Sequence, residues 1–442
     1  MNPLPADDAL AAFWRDERVA VLATLIRAAH GDWDAAEDAL ADATARAVEG
    51  WTSGGVPERP GAWMLTVARR ILVDRARTRK SAKRNGDSVD AHASVPSADD
   101  AEDESEPLDM HQALAEVTGD ERLALLYTCC HPALSRPAQI TLALRTIGGL
   151  TVREIARGLL EPEATTAQRL VRTRRKIRDA RIPFRIPAGS ISERTETVQE
   201  TLYLIFNEGY GSTEGDAYLR DGLTEEAIRL ARLVVVQTPD DPESLGLLAL
   251  MLLHHARAAA RIDGTGAIVP LEQQDRAHWN RTRIQEGEHL LDRAMSMHRP
   301  GPYQLQAAIA ALHATAASAG ETDWRQIAAL YGALRFMMPT PVVELNAAVA
   351  LAMVHGPEWG LAQLDTLASE RGMADYHLLP AARADLLRRA GRNAEAAIAY
   401  AGALALARSA PERRYLQRRL AETSCRIVTA EPEGAHRRAT VL

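Results

Sequence analysis

GGLTVREIARGLLEPEATTAQRLVRTRRKIR, residues 148–178, decides the fold. Thr151 stands ahead of the run VREIARGLL, with Glu154 three residues after it. That is the spacing of a capping box, in which a hydroxyl and a carboxylate each satisfy a backbone N–H at a helix start. A break at Glu161-Pro162 follows, then a second helical run, EATTAQRLVRTRRKIRDAR. Proline suits the first turn of a helix because its missing N–H would have no partner there, and Thr165 or Thr166 can cap slightly later. Two helices across so short a break predict a helix-turn-helix. The second helix holds seven basic residues, Arg169, Arg172, Arg174, Arg175, Lys176, Arg178 and Arg181, against two acids, Glu163 and Asp179. Positions 165, 168, 169, 172 and 176 share one broad face at steps of three and four. Such a helix fits the DNA major groove, where Thr and Gln reach base edges and Arg reaches guanine or phosphate. A solvated basic helix on some other all-α protein is the competing reading. The cap, the short turn and the charge asymmetry together favour DNA.

Upstream, residues 10–80 carry helical periodicity, with Phe13, Val19, Leu22 and Ile26, then Ala36, Leu40, Ala43 and Ala47, near a 3.6-residue repeat. Gly54-Gly55, Pro57 and Pro60 interrupt it, and a new helix starts near Pro60. The run GDWDAAEDALADATARAVEGW sets Asp34, Glu37, Asp38 and Asp42 on neighbouring turns. A carboxylate stripe on a regular helix without His faces a basic partner or water rather than a metal. The next helix pairs Trp63 with Arg69, Arg70, Arg75, Arg77, Arg79 and Lys80. Aromatic surface stacks on unpaired bases while Arg follows the backbone, so Trp63 is either a base-stacking platform or core.

Between the two basic helices runs DSVDAHASVPSADDAEDESEPLD, from Asp87 to Asp109, with nine acids and no Lys or Arg. With almost no large apolar residue it cannot bury enough to order itself, and it reads as a linker. Beyond Pro187 the chain is predicted helical for about 250 residues. ARADLLRRAGRNAEAAIAYAGALALA places Leu386, Leu387, Gly391, Ala396, Tyr400 and Ala403 in the small-large pattern of a tetratricopeptide helix pair. Earlier Ala/Leu stretches have irregular spacing, which suggests a TPR-like α-solenoid with degenerate repeats. Within it, Asn207, Glu208 and Tyr210 and then Gln274, Asp275 and Arg276 gather polar groups between apolar helices. They form either a recognition surface or inter-helix hydrogen bonds that fix the packing, with the second preferred.

The chain has 442 residues, enough for two or three domains, and is 46% hydrophobic with only 5% aromatics. Ala and Leu dominate, so the predicted class is all-α. A net charge of -7 means that nucleic-acid binding must come from local basic surface. Three cysteines make no disulfide framework, and Cys129 and Cys130 sit in an apolar run as core. His131 lacks the further ligands of a zinc site. There is no signal-like start and no apolar run of about 18 residues, so no membrane partner and a cytoplasmic location are expected. No nucleophile–base pair, phosphate loop or metal-spaced set suggests an enzyme, a cofactor or a metal.

AEDALADATARAVEGW, Pro60-Gly61-Ala62-Trp63 and TVARRILVDRAR resemble region 2 of the extracytoplasmic-function sigma factors, and residues 148–178 resemble their region 4. LYLIFNEGY, QDRAHW, GPYQLQAAIAALHA, TDW and LNAAVA look like the TPR-like extension of one sigma subgroup. One departure is Ala347, where a basic residue is expected after Asn346. The resemblance implies region 2 at 10–82, an acidic linker at 83–109, region 4 at 110–185, an extension at 190–425 and a disordered tail at 426–442. It implies two partners, promoter DNA and core RNA polymerase through its β′ clamp and β flap, and no dedicated anti-sigma factor. Asp34, Glu37, Asp38 and Asp42 would dock the clamp. Trp63, Arg69, Arg70, Arg75 and Arg77 would read the minus-ten element. Thr165, Thr166, Gln168, Arg169, Arg172, Arg175 and Lys176 would read the minus-thirty-five element, and the extension would modulate activity. A conventional helix-turn-helix regulator with a TPR sensor explains residues 150–442 but gives the Trp63 helix and the carboxylate stripe no role. A pure TPR scaffold is the third reading.

Overall fold

The computed structural model describes residues 5–29, 31–86, 120–180, 191–370 and 372–430. The acidic segment Asp87–Asp109, Arg181 and the tail beyond residue 430 lie outside them, as do the side chains of Arg79 and Lys80. Every regular element among the described residues is a helix; extended pairing is limited to two isolated bridges, Gly215 with Ser409 and Ile262 with Ile268. The all-α class read from the Ala/Leu-rich composition is therefore the one observed.

The chain divides into two units. The first holds residues 1–155 and 163–201, and the second holds 156–162 and 202–442. In the first, α1 (Ala6–Asp16), α2 (Arg18–Ala28), α3 (Trp33–Gly54) and α4 (Pro60–Gly86) pack together. Asp32 starts α3 by accepting from the Ala35 N–H at 3.1 Å, which satisfies a donor that the helix itself cannot. Trp33, Ala36, Leu40, Ala43, Ala47 and Trp51 then recur on one side and are all buried. The helix α4 includes residues 83–86, so it extends past the boundary expected at 82. KSAKRN offers good helix formers and no proline to stop it.

Three further helices belong mainly to this unit: α5 (Glu121–Cys129), α6 (Arg136–Thr146) and α8 (Glu163–Asp179). Almost every side chain of α6 is buried, and α8 packs against it. Cys129 and Cys130 lie in this core, where burial raises both thiols, Cys130 to about 12. The short α7 (Val152–Gly158) opens with the expected box: the Thr151 N–H donates to Glu154 Oε2 at 2.6 Å and the Glu154 N–H to Thr151 Oγ1 at 3.1 Å. Leu160 turns the chain at φ 51°, a left-handed conformation unusual for a branched side chain, and α8 begins at Glu163, directly after Pro162.

α9 (Ile191–Tyr210) enters the second unit. There α10 (Asp221–Gln237), α11 (Pro242–His255), α12 (Arg281–Ser296), α13 (Pro302–Thr315), α14 (Trp324–Met337), α15 (Pro341–His355), α16 (Pro357–Leu367), α17 (Leu378–Arg389), α18 (Asn393–Leu406) and α19 (Ala410–Ala430) follow. Most pack chiefly on their sequence neighbours, though α13 packs mainly on α11, and the core runs as successive clusters rather than one centre. The pair read from ARADLLRRAGRNAEAAIAYAGALALA is α17 and α18, joined at Gly391 with φ 77°. Leu386, Leu387, Ala396, Tyr400 and Ala403 are all buried between them. α19 reaches Ala430, so residues 426–430 are helical where a disordered tail was expected to begin.

Small residues set the closest approaches. A Cβ on Gly246 of α11 would lie 2.8 Å from the Gln304 backbone nitrogen of α13. Because backbone cannot give way, Gly246→Ala is expected to lower stability by about 1–3 kcal/mol, a typical overpacking cost. Thermal unfolding followed by far-UV ellipticity checks this against Gly402→Ala, whose Cβ would meet nothing within 4 Å.

Candidate nucleic-acid interface

α8 separates its residues by face. Thr166, Leu170, Thr173 and Ile177, at steps of three and four, are buried. Thr165, Gln168, Val171, Arg172, Arg175 and Lys176 are exposed. The face predicted from spacing therefore divides three ways. Gln168, Arg172 and Arg175, with Thr165 one turn before them, line the outer surface; Arg172 Nη2 lies 3.5 Å from Gln168 Oε1, and Arg175 Nε donates to Asp179 Oδ2 at 3.2 Å. Arg169 and Lys176 hold the flanks, Arg169 Nη1 donating to Thr141 Oγ1 at 3.1 Å and Lys176 to the Ala133 carbonyl. Thr166 is 0% exposed and its short side chain cannot reach a base edge while the helix stays packed, so its assignment to a DNA-reading face is corrected to core.

The guanidinium of Arg174 was not singled out by its sequence position, yet it makes a polar contact across 140 residues of chain. Nη1 donates to Asp34 Oδ1 at 2.8 Å, and Nη2 lies 2.9 Å from both oxygens of Glu37. The Arg174 side chain is only 16% exposed. Arg178 adds a weaker contact, 3.8 Å from Asp34 Oδ2. A helical wheel held the signal, since 174 lies four residues after buried Leu170 and three before buried Ile177. The same holds for Glu37, four after Trp33 and three before Leu40. Arg18 supports the arrangement: its Nη1 donates to the Thr146 carbonyl at 3.2 Å, and its pKa is lowered by burial against the attraction of Glu37.

The carboxylate stripe therefore does not act as one surface. Asp34 and Glu37 face Arg174, and Asp42 takes Arg75 Nη2 of α4 at 2.8 Å. Asp38 is exposed and has no ion-pair partner among the described residues. On α4, Arg69, Arg70 and Arg77 are exposed, whereas Arg75 is half-buried against Asp42. Trp63 is half-buried: its ring meets buried Trp51 edge-on at 5.4 Å and 65°.

In the second unit the polar groups noted in the sequence bind mainly within the fold. Glu208 accepts from the Thr213 N–H at 3.1 Å and from Thr213 Oγ1 at 3.0 Å. Gln274 Nε2 donates to the Val269 carbonyl at 3.0 Å, and Asp275 caps Ala277 at 2.9 Å. Arg276 Nη1 donates to the His313 carbonyl at 2.8 Å. Asn207 is exposed, and Tyr210 stacks on Phe206 at 5.4 Å. Among the described residues no group of three or more His, Cys, Asp and Glu is placed to hold a metal, and no helix is long and apolar enough to cross a membrane.

Comparison with known proteins gives two family matches. The ECF sigma factor family matches residues 40–181, and a family of unknown function, DUF6596, matches residues 194–295. An uncharacterized protein of Rhizobium meliloti (strain 1021) is 42% identical over 406 residues, covering 90% of this chain and 92% of that protein. No solved structure matches.

The two carboxylate contacts should differ in weight. Arg75–Asp42 has side chains 39% and 49% exposed, so Asp42→Asn should cost under about 1 kcal/mol. Arg174 is less exposed and serves two acids, so Arg174→Ala should cost about 1–3 kcal/mol by leaving Glu37 without its ion-pair partner and Asp34 with only the longer Arg178 contact. Urea unfolding of the two variants measures both.

Proposed function

Because this chain belongs to the ECF sigma factor family, with a DUF6596 region behind its sigma domain, we propose that it binds core RNA polymerase, recognises promoter elements and starts transcription. The observation that carries the reading is the outer face of α8, where Thr165, Gln168, Arg172 and Arg175 stand free of the core that Thr166, Leu170, Thr173 and Ile177 fill on the other side. That face reads the minus-thirty-five element in the major groove, flanked by Arg169 and Lys176 as phosphate contacts. α4 reads the minus-ten element. The half-buried Trp63 stacks on an unpaired base, and Arg69, Arg70 and Arg77 follow the strand, with Arg75 held in place by Asp42. The second unit is a TPR-like extension that modulates this activity.

The acids of α3 dock the polymerase clamp, with Asp38 the most available. Asp34 and Glu37 are engaged by Arg174, so polymerase and α8 compete for the same carboxylates. Docking then frees Arg174 and loosens α8 for its DNA site. The free chain is then expected to bind promoter duplex weakly.

Binding of labelled protein to purified core polymerase tests the proposal. Asp38→Lys should weaken it at least tenfold, and Arg174→Ala should strengthen it about threefold or more by releasing both acids. In the polymerase complex, Arg172→Ala should lower occupancy of a cognate promoter at least fivefold, in line with about 1–3 kcal/mol for a specific base contact. Absence of measurable binding to core by the unaltered protein would refute the reading.

A further inference from the structure

Three partly buried arginines of the second unit gather on aromatic rings and histidines rather than on carboxylates. Arg257 and Arg261 follow α11, Arg276 lies in the irregular segment before α12, and all three converge with Tyr210 of α9, Tyr218, His254, Trp279 and His313 of α13. Arg257 Nη2 is 3.0 Å from His254 Nδ1, and its guanidinium lies 6.0 Å from the Trp279 ring centre. Arg276 lies closer to the same residue, 4.4 Å from its ring centre. Arg261 lies 3.6 Å from the Tyr210 ring and 4.8 Å from the Tyr218 ring, donating to the Tyr210 carbonyl and, at 3.1 Å, to Tyr218 Oη.

None of the three guanidiniums forms an ion pair with a carboxylate among the described residues. Asp275, the nearest acid in sequence, is turned onto its own segment, where it caps Ala277 and meets His278 at 3.2 Å. Burial lowers the pKa of Arg257 and of Arg276. At Arg257 the phenols of Tyr210 and Tyr218 oppose this while Arg261 adds to it, and at Arg276 Arg257 and Arg281 add to it while Glu321 opposes. Both histidines are lowered by burial and then by these arginines, His313 to about 4, so they stay neutral near pH 7. Two hydrogen-bond donors are also left over. Trp279 Nε1 and Tyr210 Oη are buried and meet no partner. Partly buried cations without a counter-charge and buried donors without acceptors are each unfavourable, and here they occur together.

We propose that this cluster is a binding site for a small oxyanion, a phosphate or carboxylate carried by a low-molecular-weight ligand. The anion accepts from Arg257, Arg276 and Trp279 Nε1 and supplies the negative charge that the fold omits. Because α9, α11, α13 and the segment between α11 and α12 all contribute to the cluster, such a ligand holds four parts of the extension together. The site is independent of the promoter-recognition reading and stands or falls without it.

The test uses the full-length protein, titrated with inorganic phosphate and separately with citrate, each against sodium chloride at equal ionic strength. Thermal unfolding and calorimetry supply the readouts. A saturable rise in the unfolding temperature with at least one of the two anions is expected, and which one responds identifies phosphate or carboxylate as the ligand chemistry. Arg257→Gln and Arg276→Gln should each weaken that affinity at least tenfold, while Arg408→Gln, an exposed control, should leave it unchanged. Trp279→Phe keeps the ring packing but removes the N–H, and should weaken it threefold or more; it decides the matter if either arginine variant loses helicity. No saturable effect of either anion beyond chloride, or an effect that persists unchanged in these variants, would overturn the proposal.

Discussion

A single guanidinium joins two helices separated by more than a hundred residues of chain. Arg174 of α8 reaches Asp34 and Glu37 of α3, and around that contact the first unit arranges its charged surfaces. Arginine suits the place because its planar fork can meet two carboxylates at once, whereas a lysine would offer one point charge. Turning Arg174 toward α3 directs Gln168, Arg172 and Arg175 outward on the opposite side of the helix. It also engages half of the acidic stripe, leaving Asp38 as the member most open to a partner. An ion pair of this kind specifies an arrangement more than it adds stability, since desolvation offsets much of the attraction. That makes it well suited to a contact that a competing basic partner must displace.

Most of the fold was legible in the sequence where local rules govern. The capping box of Thr151 and Glu154 needs only a three-residue spacing, and the structure contains both of its hydrogen bonds. The helix pair around Gly391 and Tyr400 needs only the small-large pattern and a left-handed glycine. The misreadings arise where one helix must serve two neighbours. Polar Thr166 looked like part of the DNA face, yet α8 needs an inward row at 166, 170, 173 and 177, and position decides over polarity. The domain bounds expected at 82 and 425 follow changes of charge and composition, whereas the helices run on to Gly86 and Ala430 because no helix-breaking residue intervenes.

The site was legible as an inventory of residues but not as a set of pairs. Asp34, Glu37 and Asp42 were recognisable as an acidic stripe, but no spacing rule could say that Arg174 and Arg75 would meet them. The basic cluster of the second unit shows the same limit. Tyr210 and Arg276 stood out as polar groups between apolar helices, whereas Arg257 and Arg261 were hidden in the Ala-rich run LLHHARAAAR, where lone arginines resemble ordinary surface charge. Only packing shows that they turn inward, stack on tyrosine and tryptophan and find no carboxylate. In both units arginines, not apolar residues, carry the information that periodicity cannot.

Run-off transcription with purified core RNA polymerase, this protein and promoter fragments from its own genome tests the central claim most directly. The account expects transcripts with defined starts only when the protein is present, and their loss when the outer face of α8 is altered at Gln168 and Arg172. Transcripts that start equally well without the protein, or that are unaffected by those two changes, would contradict it.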